Sequence, residues 1–365
     1  MPHVAARTAR TASRDRDTGR YQSHRPEQTL LYQIVDEYYP AFAALMAEQG
    51  KELPGYVQRE FEEFLQCGRL EHGFLRVRCE SCHAEHLVAF SCKRRGFCPS
   101  CGARRMAESA ALLVDEVLPE QPMRQWVLSF PFQLRFLFAS RPEIMGRVLG
   151  IVYRVIATHL VKKAGHTHQV AKTGAVTLIQ RFGSALNLNV HFHMLFLDGV
   201  YVEQSHGSAR FRWVKAPTSP ELTQLTHTIA HRVGRYLERQ GLLERDVENS
   251  YLASDAVDDD PMTPLLGHSI TYRIAVGSQA GRKVFTLQTL PTSGDPFGDG
   301  IGKVAGFSLH AGVAARADER KKLERLCRYI SRPAVSEKRL LRIRLLSIRF
   351  WRTLTSRLFL KQKTI

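Results

Sequence analysis

Two histidines, His191 and His193, stand one residue apart in the otherwise apolar segment NLNVHFHMLFLDGVY (187–201). The Val, Phe, Met and Leu content of this segment predicts a β-strand over 188–198. Alternate side chains of a strand leave the same face, so both imidazoles point the same way and can each give one nitrogen to a single divalent metal. The alternative interpretation is a pair of hydrogen-bonded structural histidines.

A cysteine cluster lies in the segment RCESCHAEHLVAFSCKRRGFCPSCGARRM (78–106). Cys79 and Cys82 form one C-x-x-C pair, and Cys98 and Cys101 form a second. Two such pairs on one tetrahedral ion are the usual arrangement of a structural zinc site. Because four protein ligands leave no open coordination position, we expect this zinc to be structural and not catalytic.

Other metal-binding side chains lie close to these two pairs. Cys92 is a fifth cysteine that is either buried or replaces one of the four, and His83 and His86 are within reach along the sequence.

The cysteine segment is also basic, and its basic side chains suit contacts with phosphate, although a solvated charged face is the alternative. These basic residues are Lys93, Arg94, Arg95, Arg104 and Arg105.

The composition favours a nucleic-acid partner. The 365 residues carry a formal net charge of +17, which suits a polyanion. Seven cysteines without an apolar leader at the N-terminus indicate reduced thiols and metal binding, not disulfides. No apolar run approaches the length of a membrane span, so we expect no membrane partner and a cytoplasmic location near the nucleoid.

The remaining patterns predict an α+β fold in which an antiparallel sheet has helices on its faces. The predicted helices are 102–119, 142–164, 218–245, 318–332 and two within 27–66, and the predicted strands are 126–131, 175–183, 188–198, 269–276, 283–288 and 303–309. The predicted division of the chain is a disordered basic arm (1–26), a helical and zinc-ribbon-like domain (27–120), a sheet domain (121–335) and a basic tail (336–365).

Three segments in this order resemble the HUH superfamily, in which U is an apolar residue, here Phe192. The closer resemblance is to the rolling-circle transposases of the insertion-sequence-ninety-one group and their common-region relatives. It rests on the cysteine segment, on the histidine segment and on FSLHAGVAARADERKKLERLCRYISRP (307–333). The resemblance implies an enzyme that nicks single-stranded DNA at element ends, with Tyr329 as the nucleophile that forms a 5′-phosphotyrosine.

The resemblance also implies a catalytic metal, Mg²⁺ or Mn²⁺, held by His191, His193 and a third polar ligand. His310 is the favoured third ligand, and Gln180 and Asp198 are alternatives. On a helix, Arg325 and Arg332 flank Tyr329 on one face, where they could favour its phenolate or grip DNA phosphates.

The chain departs from the family pattern in two places. Members with two catalytic tyrosines carry both on one helix, whereas position 325 is Arg and position 333 is Pro here, so Tyr329 stands alone as in the single-tyrosine subgroup. Residues 338–365 hold nine basic residues and no acidic ones, which is typical of a replaced or truncated end.

Three other functions are compatible with parts of the sequence. One is an inactive zinc-containing DNA-binding protein derived from such a transposase, and another is a rolling-circle replication initiator or relaxase. The third is a carboxylate-triad transposase that would use the acidic run 258–260, which we interpret as a solvated loop.

Overall fold

Helices and antiparallel strands alternate along the residues that the computed structural model describes, which are 25–94, 97–183, 187–205, 207–245, 250–252, 260–283 and 301–335. The strands are β1 (Phe74–Arg78), β2 (Glu85–Ala89), β3 (Met123–Ser129), β4 (Ala171–Lys172), β5 (Ala175–Phe182), β6 (Leu188–Leu197), β7 (Gly199–Glu203), β8 (Ala209–Trp213), β9 (Leu243–Arg245), β10 (Ser250–Leu252), β11 (Ile301–Val304) and β12 (Phe307–Ala315). The α-helices are α1 (Leu30–Glu48), α2 (Gly55–Gln66), α3 (Pro99–Leu112), α4 (Phe132–Ser140), α5 (Pro142–Lys163), α6 (Ser219–Arg239), α7 (Met262–Ile270) and α8 (Arg320–Ile330). The predicted α+β class is confirmed.

The central element is a five-stranded antiparallel sheet in the order β11-β12-β3-β6-β5. The histidine strand β6 therefore lies inside the sheet, paired with β3 on one side and β5 on the other. Phe192, Met194 and Phe196 alternate with the histidines and are fully buried on the opposite face. That face packs against α5 and α6, because both helices direct an apolar stripe towards it.

Helix α5 has the length and apolar composition that would be needed to cross a membrane. Its residues Val148, Val152 and Ile156 are fully buried in the main core of the protein. Because four-residue steps place these side chains on one face of the helix, the apolar composition of α5 is accounted for by packing on the sheet.

The histidine-bearing face of the sheet is covered by helix α8. Leu323 and Cys327 of α8 are buried together with Leu195 of β6 and with Ala110 of α3. Helix α3 leads out of the cysteine segment, and a five-residue π-helical turn, Leu113–Val117, continues it. The tyrosine helix is thus held between the sheet and the helix that leaves the cysteine segment.

Gly102 allows the closest approach of α3 to the end of the tyrosine helix. A Cβ atom added at this position would lie 2.6 Å from Cβ of Pro333, which is far too close for two carbon atoms. The missing side chain lets the start of α3 contact the residues just after α8. The cysteine segment therefore contacts the chain directly after the tyrosine helix.

The N-terminal part of the chain packs as a small separate core. Aromatic side chains of α1 and α2 surround the cysteines, and Phe97 contacts the rings of Phe61 and Phe64. Strands β1 and β2 form a two-stranded hairpin that extends from this core. The module combines helices, a hairpin and a cysteine cluster.

The strand predicted over 269–276 is wrong. Residues Met262–Ile270 form α7, which packs against α4, and the chain then turns at Tyr272, whose φ is 57°. The short run LLGHSI is apolar without clear periodicity, so its contacts with α4 decide its conformation. The strand predicted over 283–288, the acidic run 258–260, the arm 1–26 and the tail 336–365 lie wholly or almost wholly outside the described residues.

A buried ion pair ties the sheet together at the end of β6. The guanidinium of Arg124 donates to both carboxylate oxygens of Asp198, at 2.7 and 2.8 Å, and also to the Ala311 carbonyl.

We expect Asp198→Asn to destabilise the protein by about 3–5 kcal/mol, because a buried guanidinium would lose its counter-charge. Urea unfolding measures this, and Asp318→Asn at the exposed Arg316–Asp318 pair is the control, for which we expect little or no loss of stability because solvent screens the pair.

Candidate active site and zinc cluster

Three aromatic side chains meet on the face of the sheet that α8 covers. The ring centroids of His191 and His193 are 4.9 Å apart. The ring of Tyr329 lies 6.0 Å from that of His193, in an edge-on arrangement, and its side chain is half exposed. The two histidines and the tyrosine are therefore close enough to contact one small group, such as a phosphate.

Hydrogen bonds orient both imidazoles. Nδ1 of His191 lies 2.8 Å from the Asn189 carbonyl oxygen, which can only accept, so Nδ1 carries the proton and Nε2 keeps its lone pair. Nδ1 of His193 lies 2.7 Å from the side-chain amide of the buried Gln125. As the amide of Gln125 stands, its nitrogen donates to Nδ1 of His193; turning the amide over would let Nδ1 donate and would free the lone pair of His193 Nε2.

Both histidines are held in the neutral form that a metal requires. Burial lowers the pKa of His191, and the nearby guanidiniums of Arg135 and Arg332 lower it further, against the opposing effect of the Asn189 carbonyl. Burial, the neighbouring His191 and Arg332 lower the pKa of His193 to about 3. Neither ring therefore has to lose a proton at neutral pH before it can bind a cation.

Orphaned polar atoms show that this pocket suits a cation. Within the described ranges, Nε2 of His193, Oε1 of Gln180 and Oδ1 of Asn189 are buried without a hydrogen-bond partner. The two amide oxygens are lone-pair donors, Nε2 of His193 becomes one when Nδ1 of that ring carries the proton, and Gln180 lies directly opposite His191 in the β5–β6 ladder. Since buried polar atoms are rarely left unsatisfied, these side chains on one face of the sheet fit a metal ion with nitrogen and oxygen ligands.

The three candidates for the third ligand lie in different places. The amide nitrogen of Gln180 donates to the Ile330 carbonyl at the end of α8, which leaves its Oε1 for a cation. His310 is two strands away from His193, with Val127 of β3 between them. The carboxylate of Asp198 is bound to Arg124, and Asp198 lies seven residues along the chain from His191. Gln180 is thus the best placed of the three.

Two guanidiniums border the pocket without a carboxylate partner in the described part of the chain. Arg332 lies 4.5 Å from the ring centroid of Tyr329, and its Nε is buried without a hydrogen bond. Arg135 donates from Nε to the Phe130 carbonyl at 2.7 Å and rests on the ring of Phe132. Their charge makes the pocket a site for an anion as well as for a cation.

The depressed pKa of His193 predicts a pH dependence of stability. The unfolded chain binds this proton near pH 6.5 and the folded chain only near pH 3, so the unfolded state takes up more protons as the pH falls through this window. From pH 6.5 to 5 we expect wild type to lose about 1–2 kcal/mol more stability than His193→Gln. Denaturant unfolding of both proteins at the two pH values measures the difference, and equal losses would contradict a buried neutral imidazole.

Four cysteine sulfurs come together at the N-terminal core. The ligand atoms of Cys67, Cys92, Cys98 and Cys101 all lie within 4.8 Å of one another. The Sγ atoms of Cys67 and Cys101, and those of Cys92 and Cys101, are 3.6 Å apart. Tetrahedral zinc with Zn–S bonds of about 2.3 Å requires sulfurs about 3.8 Å apart, so the four thiols fit one zinc ion.

This cluster corrects the predicted ligand set. Cys98 and Cys101 belong to it, and Cys92, the alternative, belongs to it as well, whereas Cys79 and Cys82 are exposed and lie outside it. The fourth member is Cys67, which follows the last residue of α2 and belongs to no C-x-x-C pair. The hairpin between residues 74 and 89 carries Cys79 and Cys82 away from the cluster.

Two family models match the chain. Residues 174–362, just over half of the chain, match the model described as "Putative transposase", and residues 34–130 match the model described as "Transposase zinc-binding domain", which is of the insertion-sequence-ninety-one type. The chain belongs to this transposase family. No curated protein and no solved structure matches it significantly.

The matched ranges cover both sites of the transposase. The zinc-binding model spans all four clustered cysteines, so the zinc-binding part of the prediction is confirmed. The second model spans the histidine strand and the tyrosine helix and continues to residue 362. It therefore includes most of the basic tail, 338–365, that was predicted to be a replaced or truncated end.

The basic residues of the transposase that were predicted to contact DNA fall into two groups. Arg104 and Arg325 are exposed and have no ion pair within the described ranges. Arg94 forms a two-point ion pair with Glu63, and Arg105 donates to the Lys93 carbonyl. Arg94 and Arg105 thus have structural partners, whereas Arg95 lies outside the described residues.

Proposed function

We propose that this transposase binds single-stranded DNA at the ends of its element and nicks it through a 5′-phosphotyrosine on Tyr329, as the first step of rolling-circle transposition. One observation carries the proposal: the rings of Tyr329, His193 and His191 lie next to one another on one face of the sheet. A phenol, two neutral imidazoles and guanidiniums that have no carboxylate partner among the described residues together suit a phosphodiester.

The reaction that this arrangement supports is a direct transesterification. The phenolic oxygen of Tyr329 attacks phosphorus, the bond from phosphorus to the 3′ oxygen breaks, and the phenol proton is lost while the departing oxygen is released as a 3′ hydroxyl. The phosphate stays on the 5′ end of the downstream strand, joined to the protein. Because one phosphodiester is exchanged for another, rejoining the strands requires no nucleotide hydrolysis.

Nε2 of His191, Nε2 of His193 and Oε1 of Gln180 would hold the catalytic Mg²⁺ or Mn²⁺. When bound, such an ion neutralises charge that develops on the phosphate during attack. Gln125 and the Asn189 carbonyl keep both rings in the orientation that presents Nε2. Gln180 also joins the pocket to the end of α8, so the ligand set and the nucleophile are positioned by the same contact.

The guanidiniums would bind the DNA backbone. Arg332 stacks on the Tyr329 ring, where an incoming phosphate would meet both groups. Arg135 approaches from the start of α4, and the exposed Arg104 and Arg325 extend the basic surface. DNA whose backbone is held by several such contacts should bind with a strong salt dependence. Because of the same positive charge, we also expect the protein to bind the nucleoid in the cytoplasm.

A nicking assay tests the proposal. Wild-type protein with Mn²⁺ and a labelled single-stranded oligonucleotide carrying an element end should give an adduct that resists SDS and a free 3′ hydroxyl product. The His191→Ala/His193→Ala variant should lose at least about 1,000-fold in rate, because two ligands of the ion are removed. His166→Ala/His168→Ala is the matched control, and its rate should equal that of wild type.

The other candidate functions predict different outcomes of this assay. A protein that binds the oligonucleotide but never forms an adduct, with any divalent metal, would be a DNA-binding derivative of a transposase. Cleavage of a plasmid origin in preference to element ends would indicate a replication initiator. Either result would overturn the proposal.

A further inference from the structure

Phe132 is a large apolar side chain to which the proposed reaction gives no role. It is the first residue of α4 and is 53% exposed, whereas Phe138 of the same helix is fully buried. Packing in the core therefore does not explain an aromatic residue at this position. Phe132 lies beside the candidate active site, because Ser129, three residues earlier, pairs directly with His191.

A guanidinium covers one face of the Phe132 ring. The Cζ atom of Arg135 lies 4.6 Å from the ring centroid, and the Nε–H of Arg135 donates to the Phe130 carbonyl at 2.7 Å. The hydrogen bond holds the guanidinium in place, and the guanidinium in turn orients the ring. The exposed part of the ring is then available to a second planar group.

The backbone that carries this ring is also held in place. The turn between β11 and β12 packs against Pro131, since a Cβ atom added at Gly306, whose φ is 79°, would lie 2.8 Å from Cβ of Pro131. Phe130, the residue before Pro131, is fully buried against three other aromatic rings. Because the ring and its support are already ordered, binding a ligand there costs little conformational entropy.

Two pairs of an aromatic ring and a guanidinium border the histidines. In one pair, Arg332 lies 4.5 Å from the ring centroid of Tyr329, the proposed nucleophile. The other pair is Phe132 with Arg135, whose charge is close enough to His191 to lower the pKa of that imidazole. Since guanidiniums bind phosphates, a DNA backbone bound by both of them would bring its bases to the Phe132 ring.

We propose that Phe132 is a stacking platform for one unpaired base next to the scissile phosphate, while Arg135 binds a phosphate of the same strand. This inference rests on the proposed function, from which it takes single-stranded DNA as the ligand. Every base has a face that can stack on an aromatic ring, so the platform confers a preference for unpaired DNA and not for a sequence. A base inside a duplex is already stacked on its neighbours and cannot reach the ring.

Oligonucleotides that each lack one base test the platform. The full chain with Tyr329→Phe, which leaves the strand uncut, is compared by fluorescence anisotropy with the same chain that also carries Phe132→Ala. Removing the base of one nucleotide beside the scissile phosphate should weaken binding to the first protein about 5- to 100-fold. Phe132→Ala should cause the same loss with the intact oligonucleotide and no further loss when that base is missing.

Two other substitutions serve as controls. Phe132→Trp keeps an aromatic ring, and its affinity should stay within about threefold of that of the parent protein. Phe74→Ala removes a ring that is 46% exposed on β1, and it should leave the dependence on each base unchanged. The thermal midpoint of Phe132→Ala should equal that of the parent, because the side chain is exposed.

Two results would overturn the proposal. One is an affinity of the parent protein that no single missing base reduces, and the other is a pair of losses, from Phe132→Ala and from the missing base, that multiply. Neither result depends on nicking. An adduct formed by wild type without coupling of the two losses would remove only the stacking platform, whereas coupling without an adduct would remove only the nicking reaction.

Discussion

Tyr329→Phe is expected to abolish the covalent protein–DNA adduct while binding of single-stranded DNA changes less than about threefold. The substitution removes only the phenolic oxygen, so the ring can keep its edge-on contact with His193 and its contact with Arg332. Without that oxygen no group is left to form the phosphotyrosine. The measurement is adduct formation on denaturing gels, combined with DNA binding by fluorescence anisotropy.

Tyr56→Phe is the matched control for this substitution. Tyr56 lies on α2 and is 60% exposed, compared with 50% for Tyr329, so both changes remove one hydroxyl from an exposed ring. We expect full adduct formation by Tyr56→Phe. An adduct that persists in Tyr329→Phe would show that another residue is the nucleophile.

Cys67→Ser/Cys101→Ser should have the second largest effect, through the loss of the clustered zinc. Binding of a structural zinc ion contributes about 10–16 kcal/mol in small zinc-dependent folds, far more than the net stability of a domain. We therefore expect the N-terminal module to unfold. The readouts are zinc content and proteolysis of residues 27–120.

Loss of the zinc should also disturb the packing of the tyrosine helix. Cys98 precedes the first turn of α3, Cys101 lies within it, and further along α3 Ala110 packs against Leu323 and Cys327 of α8. Loss of the zinc should therefore lower adduct formation, although neither cysteine is near Tyr329. Cys79→Ser is the control: it should leave the module folded and adduct formation intact, because Cys79 is exposed and lies outside the cluster.

The elements of the fold were predictable from the sequence because periodicity is strong where one face is buried. Strand β6 alternates histidine and Leu on one face with Phe and Met on the other, and α5 carries an apolar stripe at four-residue steps. The short run around α7 lacks such a pattern, and its contact with α4, which the sequence does not reveal, makes it helical.

The zinc ligands show where local spacing misleads. The two C-x-x-C pairs indicated one site, but β1 and β2 pair with each other and carry the first pair away. Cys67 lies 25 residues before Cys92, and only the packing of α2 against the cluster brings it in. A lone cysteine directly after an amphipathic helix was the available signal, and on its own it could not be told from a buried core residue.

The surroundings of the histidines were harder to predict than the histidines themselves. Gln125 and Gln180 reach the rings from neighbouring strands, so their roles depend on the register of β3 and β5 with β6. Arg135 lies at the start of a helix that follows β3, and only the tertiary fold brings it towards His191. Sequence spacing carries no information about such cross-strand neighbours.

Mass spectrometry of the wild-type adduct is the most direct test of the account. After nicking with Mn²⁺, nuclease trimming and trypsin digestion, the peptide that contains Tyr329 should carry a nucleotide joined through its 5′ phosphate to the phenolic oxygen. We expect this single linkage, formed only when His191 and His193 are present. A nucleotide on a different side chain, or one joined through its 3′ phosphate, would contradict it.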